Sequence, residues 1–280
     1  MSSLPPAVQR LIALALEEDL GRGDVTSEAL IPPGLQARGK VLVKAPGVLA
    51  GLEVAAAVFR AVDPDVVWTP LAKDGDVVAP GQVVAHVAGR ARSLLAAERT
   101  ALNFCQRLSG VATCTAGYVE ALRGTRARLV DTRKTTPGWR WLEKLAVRCG
   151  GGFNHRLDMA GGVLIKDNHL ALSGNDIHGA IRAARSYAPH TLRDEVEVTD
   201  LAGVEAALAA GAEIILLDNM SLAEMRRAAE AVAGRALLEA SGGITLETVR
   251  AVAETGVDLI SSGAITHSAR ALDISLEVEV

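Results

Sequence analysis

The sequence predicts an α/β barrel behind a small α+β region, and three observations predict it. From residue 128 onward, aliphatic runs alternate with Ala-rich helical stretches. The runs are RLVDT (128–132), VLIKDN (163–168), DEVEV (194–198), IILLDN (214–219), ALLEASG (236–242) and LISSG (259–263). The helical stretches are 175–187, 200–210, 221–233 and 245–255. Repetition at this spacing builds βα units on a parallel sheet. No GxGxxG fingerprint follows any of the runs, so six units read as a barrel rather than a dinucleotide-binding sheet. Finally, 49% of residues are apolar but only 3% are aromatic. The core must therefore be aliphatic, as buried parallel strands are.

Taken in order, residues 5–20 read as an amphipathic helix, with Pro5 and Pro6 at its start and Gly21 just past its end. From Lys40 to Ala88 the texture becomes β-like: VLVKA (41–45), VVWTPL (66–71) and QVVAHV (82–87), punctuated by Pro46-Gly47, Asp74-Gly75 and Pro80-Gly81. Glu53 to Val62 is helical in pattern, and a long helical stretch starts at Ser93. The expected division is an α+β domain over 1–108, a barrel over 109–270 and a tail over 271–280 that packs back on the first domain. The segment KDGDVVAPGQVVAHV (73–87) is similar to the hairpin of biotinyl and lipoyl carriers. Lys73, however, runs into Asp74-Gly75 and lacks the Met that flanks a carrier lysine, so the likeness reads as structural mimicry.

Composition excludes several classes. The chain of 280 residues carries a net charge of −4, which gives no overall positive field to collect phosphate backbones. Nucleic acid is therefore not an expected partner. The three cysteines, Cys105, Cys114 and Cys149, form no CxxC pair, so zinc-ribbon and thioredoxin readings fail. An odd, low count fits a reduced, cytoplasmic protein. The short apolar run from Leu11 to Leu16 ends at Glu17, Glu18 and Asp19, unlike a signal peptide. No apolar stretch approaches the roughly 20 residues of a membrane span, so no membrane association is expected.

In barrels, functional groups gather at the carboxyl ends of the strands. Those ends read Asp131-Thr132-Arg133-Lys134, Lys166-Asp167-Asn168-His169, Glu195 and Glu197, Asp218-Asn219, Ser241-Gly242-Gly243 and Ser262-Gly263-Ala264. Between Arg123 and Arg156, nine basic residues face two acidic ones, although the chain as a whole is acidic. Such concentration implies an anionic small molecule in a focused field, with Arg making bidentate contacts and Lys acting as a point charge. Arg133, Lys134, His155 and Arg156 read as functional, whereas Arg140, Glu143 and Lys144 read as a solvated helix face. Glu195 and Glu197, two apart on a strand, share a face. With Asp218 they suggest a hard cation bridged to phosphates, or ribose hydroxyls, and Asp218 and Glu197 are the favoured pair. SGG (241–243) and SGA (262–264) each lie between a strand and a helix, where backbone N–H groups bind phosphate. His267 follows in the first helical turn. No HExxH, GxSxG or GxxxxGK[ST] motif occurs, and Cys149 reads as a packing residue rather than a nucleophile.

These residues carry a resemblance. AERTALNFCQRLSGVAT (97–113), DTRKTTPGWR (131–140), GGGFNHRLD (150–158), IKDNH (165–169), EVEV (195–198), ILLDN (215–219), EASGGI (239–244) and SGAITHS (262–268) resemble the quinolinate phosphoribosyltransferase family. EEDLGRGDVTS (17–27) matches its N-terminal segment, so the likeness runs along essentially the whole chain. The resemblance implies a type II phosphoribosyltransferase: an α+β domain followed by an incomplete α/β barrel, working as a homodimer or a hexamer built from dimers. It implies quinolinate and phosphoribosyl pyrophosphate as substrates, Mg²⁺ as cofactor and no organic cofactor. It also implies that Arg133, His155, Arg156 and Lys166 hold the quinolinate carboxylates, with Lys134 in the same pocket. Arg99 would come from the partner subunit. Glu197 and Asp218 would bind ribose hydroxyls and Mg²⁺, and with Lys134 and Lys166 they make the catalytic set. Ser241, Gly242, Gly243, Ser262, Gly263 and Ala264 would cradle the 5′-phosphate, with His267 adding a donor. The family's ESSGG is here EASGG, with Ala240 for the first Ser. The competing readings are a paralogue acting on another base, such as nicotinate, and a non-catalytic carrier modified at Lys73.

Overall fold

The computed structural model describes residues 4–280. Helix α1 (Pro6–Leu20) starts on a proline already fixed at a helical φ and stops at Gly21, as the sequence predicts. Val8, Ile12 and Leu16 recur every four residues and are buried, each contributing on the order of 1.5–3 kcal/mol. Helix α2 (Val25–Leu30), not expected from the sequence, is capped by Asp24, whose carboxylate accepts the Ser27 N–H at 3.0 Å. Strands β1 (Gln36–Val43) and β2 (Gly47–Val48) lead into α3 (Leu52–Val62). Asp74 accepts the Gly51 and Leu52 N–H groups at the start of α3, both at 3.0 Å. Next come β3 (Val67–Pro70), β4 (Val77–Val78) and β5 (Val83–Arg90), and β5 runs straight into the 31-residue α4 (Ala91–Ala121).

After β6 (Arg128–Val130) the chain forms α5 (Arg140–Cys149), then β7 (Val163–Ile165), α6 (Asp167–Leu172) and α7 (Ile177–Tyr187). The alternation continues through β8 (Asp194–Val198), α8 (Leu201–Ala209), β9 (Ile214–Asp218) and α9 (Leu222–Val232). It ends with β10 (Leu237–Ser241), α10 (Val249–Ala253), β11 (Leu259–Ser261), α11 (Ala264–His267) and β12 (Ile274–Glu279). The helix expected over 245–255 is reduced to α10, because Thr245 and Thr248 spend the preceding residues in a turn closed by the Thr248 hydroxyl.

Two compact units result. The first comprises residues up to Ala116, Thr136–Gly151 and Ser268–Val280. Its main sheet has the order β12-β1-β5-β3, with neighbours antiparallel. The end of the carrier-like segment (83–87) enters β5, an interior strand of this sheet. The tail is thus a strand on β1, held also by Gln106 Nε2 and Arg107, which donate to the Ile274 and Ala269 carbonyls at 2.6 and 2.8 Å. At Gly110 the backbone of Arg270 and Ala271 fills the space a Cβ would need, so only glycine lets α4 and the tail approach this closely.

The same unit corrects one expectation. Glu143 and Lys144 on α5 are buried, not a solvated face. Glu143 accepts from Arg107 at 3.1 Å and from the Thr136 N–H and hydroxyl at 3.1 and 2.8 Å, so its charge is matched inside the fold.

The second unit comprises Gly117–Thr135 and Gly152–His267. Its six strands are parallel, in the order β6-β11-β10-β9-β8-β7. Each strand from β7 to β10 pairs with its successor, and β11 pairs with β6. That circular order is a barrel's, and only the β6–β7 seam is unpaired. Phe153 bridges to Val130 on the open side of β6. No helix among the described residues is long and apolar enough to cross a membrane.

Candidate active site at the strand ends

Strand register decides which side chains share the barrel interior. Glu197 lies opposite Leu216, Leu216 opposite Glu239, and Asp218 opposite Ser241. Neighbours across a parallel ladder point the same way, and so do residues two apart. Glu195, Glu197, Asp218, Glu239 and Ser241 therefore share one face. Ala240 points to the other and is fully buried, so replacing the family's Ser there leaves this face unchanged.

Lys166 follows β7 and is the residue before the first turn of α6. Its Nζ forms an ion pair with Glu197 Oε2. Arg133 and Lys134 follow β6. The Arg133 Nε is buried without a hydrogen-bond partner. Burial pushes the Arg156 guanidinium below its ordinary pKa, Arg133 beside it adds to the shift, and Glu195 and Asp158 oppose it. Two guanidiniums held together, one with an unsatisfied buried donor, form a receptor for a compact anion with more than one charge. Arg156 is braced by its donation to the Gly162 carbonyl at 3.0 Å.

The phosphate side is organised by backbone. Gly242 and Gly243 have φ of +99° and +59°, conformations that side chains resist. The Asn219 side chain occupies the place a Gly242 Cβ would need. Asn219, itself at φ +54°, donates to Asp218 Oδ2 at 3.0 Å and takes the Ser241 carbonyl through its N–H at 2.9 Å. It ties the end of β9 to the start of the glycine turn. At Gly263 a Cβ would lie 2.9 Å from Lys134 Cδ and 3.1 Å from the His267 ring. Lys134, Gly263 and His267 are thus adjacent, and the Thr266 hydroxyl donates to the Lys134 carbonyl at 2.8 Å. Ser262 is buried and donates to the Ile244 carbonyl at 3.1 Å, while Ala264 opens α11.

His155 is engaged at both ring nitrogens. Nδ1 accepts the Arg156 N–H at 2.7 Å, and Nε2 lies 3.0 Å from Glu195 Oε2 and 3.8 Å from Glu239 Oε1. Asp131, fully buried, accepts the His155 N–H at 2.8 Å and the Asn154 amide at 2.7 Å. Burial, reinforced by Glu195, pushes the Glu239 carboxyl up to about 7, and His155 pulls the other way. Glu239 and Asn219 are the site residues that sequence reasoning missed. An acid inside the aliphatic run ALLEASG is a legible signal, because an acid in a buried strand needs a reason to be there.

His155, Glu195 and Glu239 bring donor atoms within 4.8 Å of one another. Glu197 and Asp218 present carboxylates from adjacent strands and offer the oxygen donors a hard cation takes alongside substrate phosphates. Arg99 is exposed on α4 in the first unit. Burial pushes the Cys149 thiol up to about 11, which suits packing rather than attack.

A sequence profile described as quinolinate phosphoribosyl transferase, N-terminal domain, matches residues 24–109, and one for the C-terminal domain matches residues 111–277. The chain is 45% identical over 278 residues to a nicotinate-nucleotide pyrophosphorylase (carboxylating) of Mycobacterium leprae (strain TN), covering 97% of each. It is 43% identical over 262 residues to a protein of Bacillus subtilis (strain 168) named probable nicotinate-nucleotide pyrophosphorylase (carboxylating), covering 93% of this chain and 90% of that one. The crystal structure of NadC from Streptococcus pyogenes superposes with a TM-score of 0.94 at 43% identity, covering 100% of this chain and 99% of that one.

Proposed function

Because the chain belongs to the quinolinate phosphoribosyl transferase family, we propose that it transfers phosphoribosyl from phosphoribosyl pyrophosphate to quinolinate and releases pyrophosphate and CO₂. The product is nicotinate mononucleotide, a precursor in NAD biosynthesis. The observation that carries this reading is the Arg133/Arg156 pair, with its buried unsatisfied Nε. Quinolinate brings two adjacent carboxylates, and Arg133, Arg156 and Lys166 supply matching cations. Nicotinate brings one and would leave a half-buried cation unpaired, which is costly.

The chemistry follows from charge. The pyridine nitrogen attacks ribose C1 as the C1–O bond to pyrophosphate breaks. The resulting pyridinium then accepts the electron pair left when the adjacent C–COO⁻ bond breaks, and a proton replaces CO₂. The chain's part is orientation and fixed charge. Arg133 and Arg156 hold the carboxylates, and the glycine turn after β10 and the start of α11 receive the 5′-phosphate. Glu197 and Asp218 hold the ribose hydroxyls, and with the substrate's phosphate oxygens they suit Mg²⁺. When bound, Mg²⁺ neutralises charge on the departing pyrophosphate. Arg99, exposed on its helix, reaches the site of a second copy in a homodimer or a dimer-based hexamer. The three free thiols agree with a reducing cytoplasm.

The test offers purified protein, Mg²⁺ and phosphoribosyl pyrophosphate with quinolinate or nicotinate separately, and quantifies mononucleotide and CO₂. Product and CO₂ from quinolinate alone is the expected result. Turnover of nicotinate alone, or of neither, assigns the chain to a paralogous transferase acting on another base.

A further inference from the structure

Arg156 stands on an irregular stretch between α5 and β7, and such segments are mobile unless side chains tie them down. Asp131, the residue just past β6, is placed to do so. The backbone ladder on the open edge of β6 lasts one step. The Phe153 N–H donates to the Leu129 carbonyl at 2.9 Å, and the Asp131 N–H donates to the Phe153 carbonyl at 3.1 Å. Beyond that step the Asp131 side chain takes over. One carboxylate oxygen accepts the His155 N–H at 2.8 Å, and the other accepts the Asn154 side-chain amide at 2.7 Å. Asp131 is 0% exposed, and a carboxylate so buried needs donors on both oxygens. Short charge-assisted bonds of this kind are among the strong ones. The next N–H, that of Arg156, goes to the His155 ring, and the Arg156 guanidinium goes to the Gly162 carbonyl. Arg133, beside Arg156, leaves the same strand end two residues after Asp131. One carboxylate therefore stands at the root of both guanidiniums.

We propose that Asp131 is a positioning residue that clamps the Asn154–Arg156 segment to the end of β6 and thereby sets the spacing of Arg156 from Arg133. Two adjacent carboxylates on one ring need two cations at a fixed separation, and a guanidinium displaced by about 1 Å is a poor partner. The clamp thus bears on the dicarboxylate and not on the phosphate turn, which follows β10. The substrate consequence rests on the function proposed above, whereas the clamp itself does not.

The experiment uses two variants. Asp131→Asn keeps the shape but offers one acceptor where two donors converge, and Asn154→Ala removes one arm of the clamp from an exposed position. Steady-state kinetics reads each substrate separately, and amide hydrogen exchange by NMR reads the His155 N–H. The expected quinolinate KM rises about tenfold or more in Asp131→Asn and about threefold in Asn154→Ala, with the phosphoribosyl pyrophosphate KM within about twofold of wild type. Added to Arg156→Ala, Asp131→Asn is expected to change the quinolinate KM by less than about twofold, because the group it positions is already gone. The His155 amide is expected to exchange slowly in wild type and fast in Asp131→Asn, while amides of β9 and β10 keep their protection. Equal rises in both KM values, or full multiplication of the Asp131→Asn and Arg156→Ala effects, overturn the proposal, since Asp131 would then serve the fold at large. If Asp131→Asn does not fold, Asn154→Ala decides: an unchanged quinolinate KM with unchanged His155 exchange overturns the clamp. If Arg156→Ala leaves the quinolinate KM unaltered, the function proposed above is what fails, and His155 exchange still decides the clamp.

Discussion

Lys166 ends a strand and precedes a helix, and its amine is the only charge paired with Glu197 among the described ion pairs. Its side chain is 43% exposed, so solvent screens the pair and the fold depends on it little. Lys166→Ala is expected to lower kcat/KM about 10²–10³-fold while changing stability by under about 1 kcal/mol, read by steady-state kinetics beside urea titration. Gly242 makes the opposite case. Its φ of +99° and the Asn219 side chain beside it leave no place for a Cβ. Gly242→Ala is expected to cost about 2 kcal/mol and to raise the KM for phosphoribosyl pyrophosphate about tenfold, with the quinolinate KM little changed. Equal loss for both substrates would show that the strain spreads beyond the phosphate turn.

At the scale of elements, the end of α3 is pinned to the end of β5. Arg90 donates two hydrogen bonds to buried Asp63, at 2.8 and 2.7 Å. The Arg90 fork, aided by Ser93, holds the Asp63 carboxyl well below the usual carboxylate range. A carboxyl depressed in the folded state adds stability above its unfolded pKa, near 3.9, and loses it as pH falls toward the folded value. Asp63→Asn is therefore expected to be less stable than wild type at pH 7, and the gap should narrow below about pH 4. Urea unfolding at pH 7 and pH 3 measures both. The α5 face shows why charge alone misleads about elements. Glu143 and Lys144 read as solvated because charged residues usually are. Arg107, 36 positions away, and Thr136 instead supply partners that make burial of Glu143 tolerable, and a local pattern contains nothing of them.

At the scale of the whole molecule, the proposed sharing of Arg99 between copies has a clear consequence. Arg99→Ala and Lys166→Ala damage different halves of a shared site. Unfolding and refolding the two variants together is expected to restore activity, up to about one quarter of wild type from hybrid dimers carrying one intact site. No recovery in a mixture that exchanges subunits would show that each site is complete within one chain. The strands of the barrel were legible from alternating aliphatic and Ala-rich segments, and their polar ends named Arg133, Lys134, Lys166, Glu197 and Asp218. Short-range pattern carries that much because strand and helix periods are local and barrel chemistry sits at strand ends. Strand β12 was legible only as a tail, since its partner β1 lies more than 230 residues away. The sequence by itself determined the βα order, the charge types at the strand ends and the glycine turns. Only the tertiary structure decided that Glu239 meets Glu195 and His155, that Asn219 braces the phosphate turn and that Glu143 is buried. Those facts depend on register between strands distant in the chain, and register is set by the packing of the whole sheet.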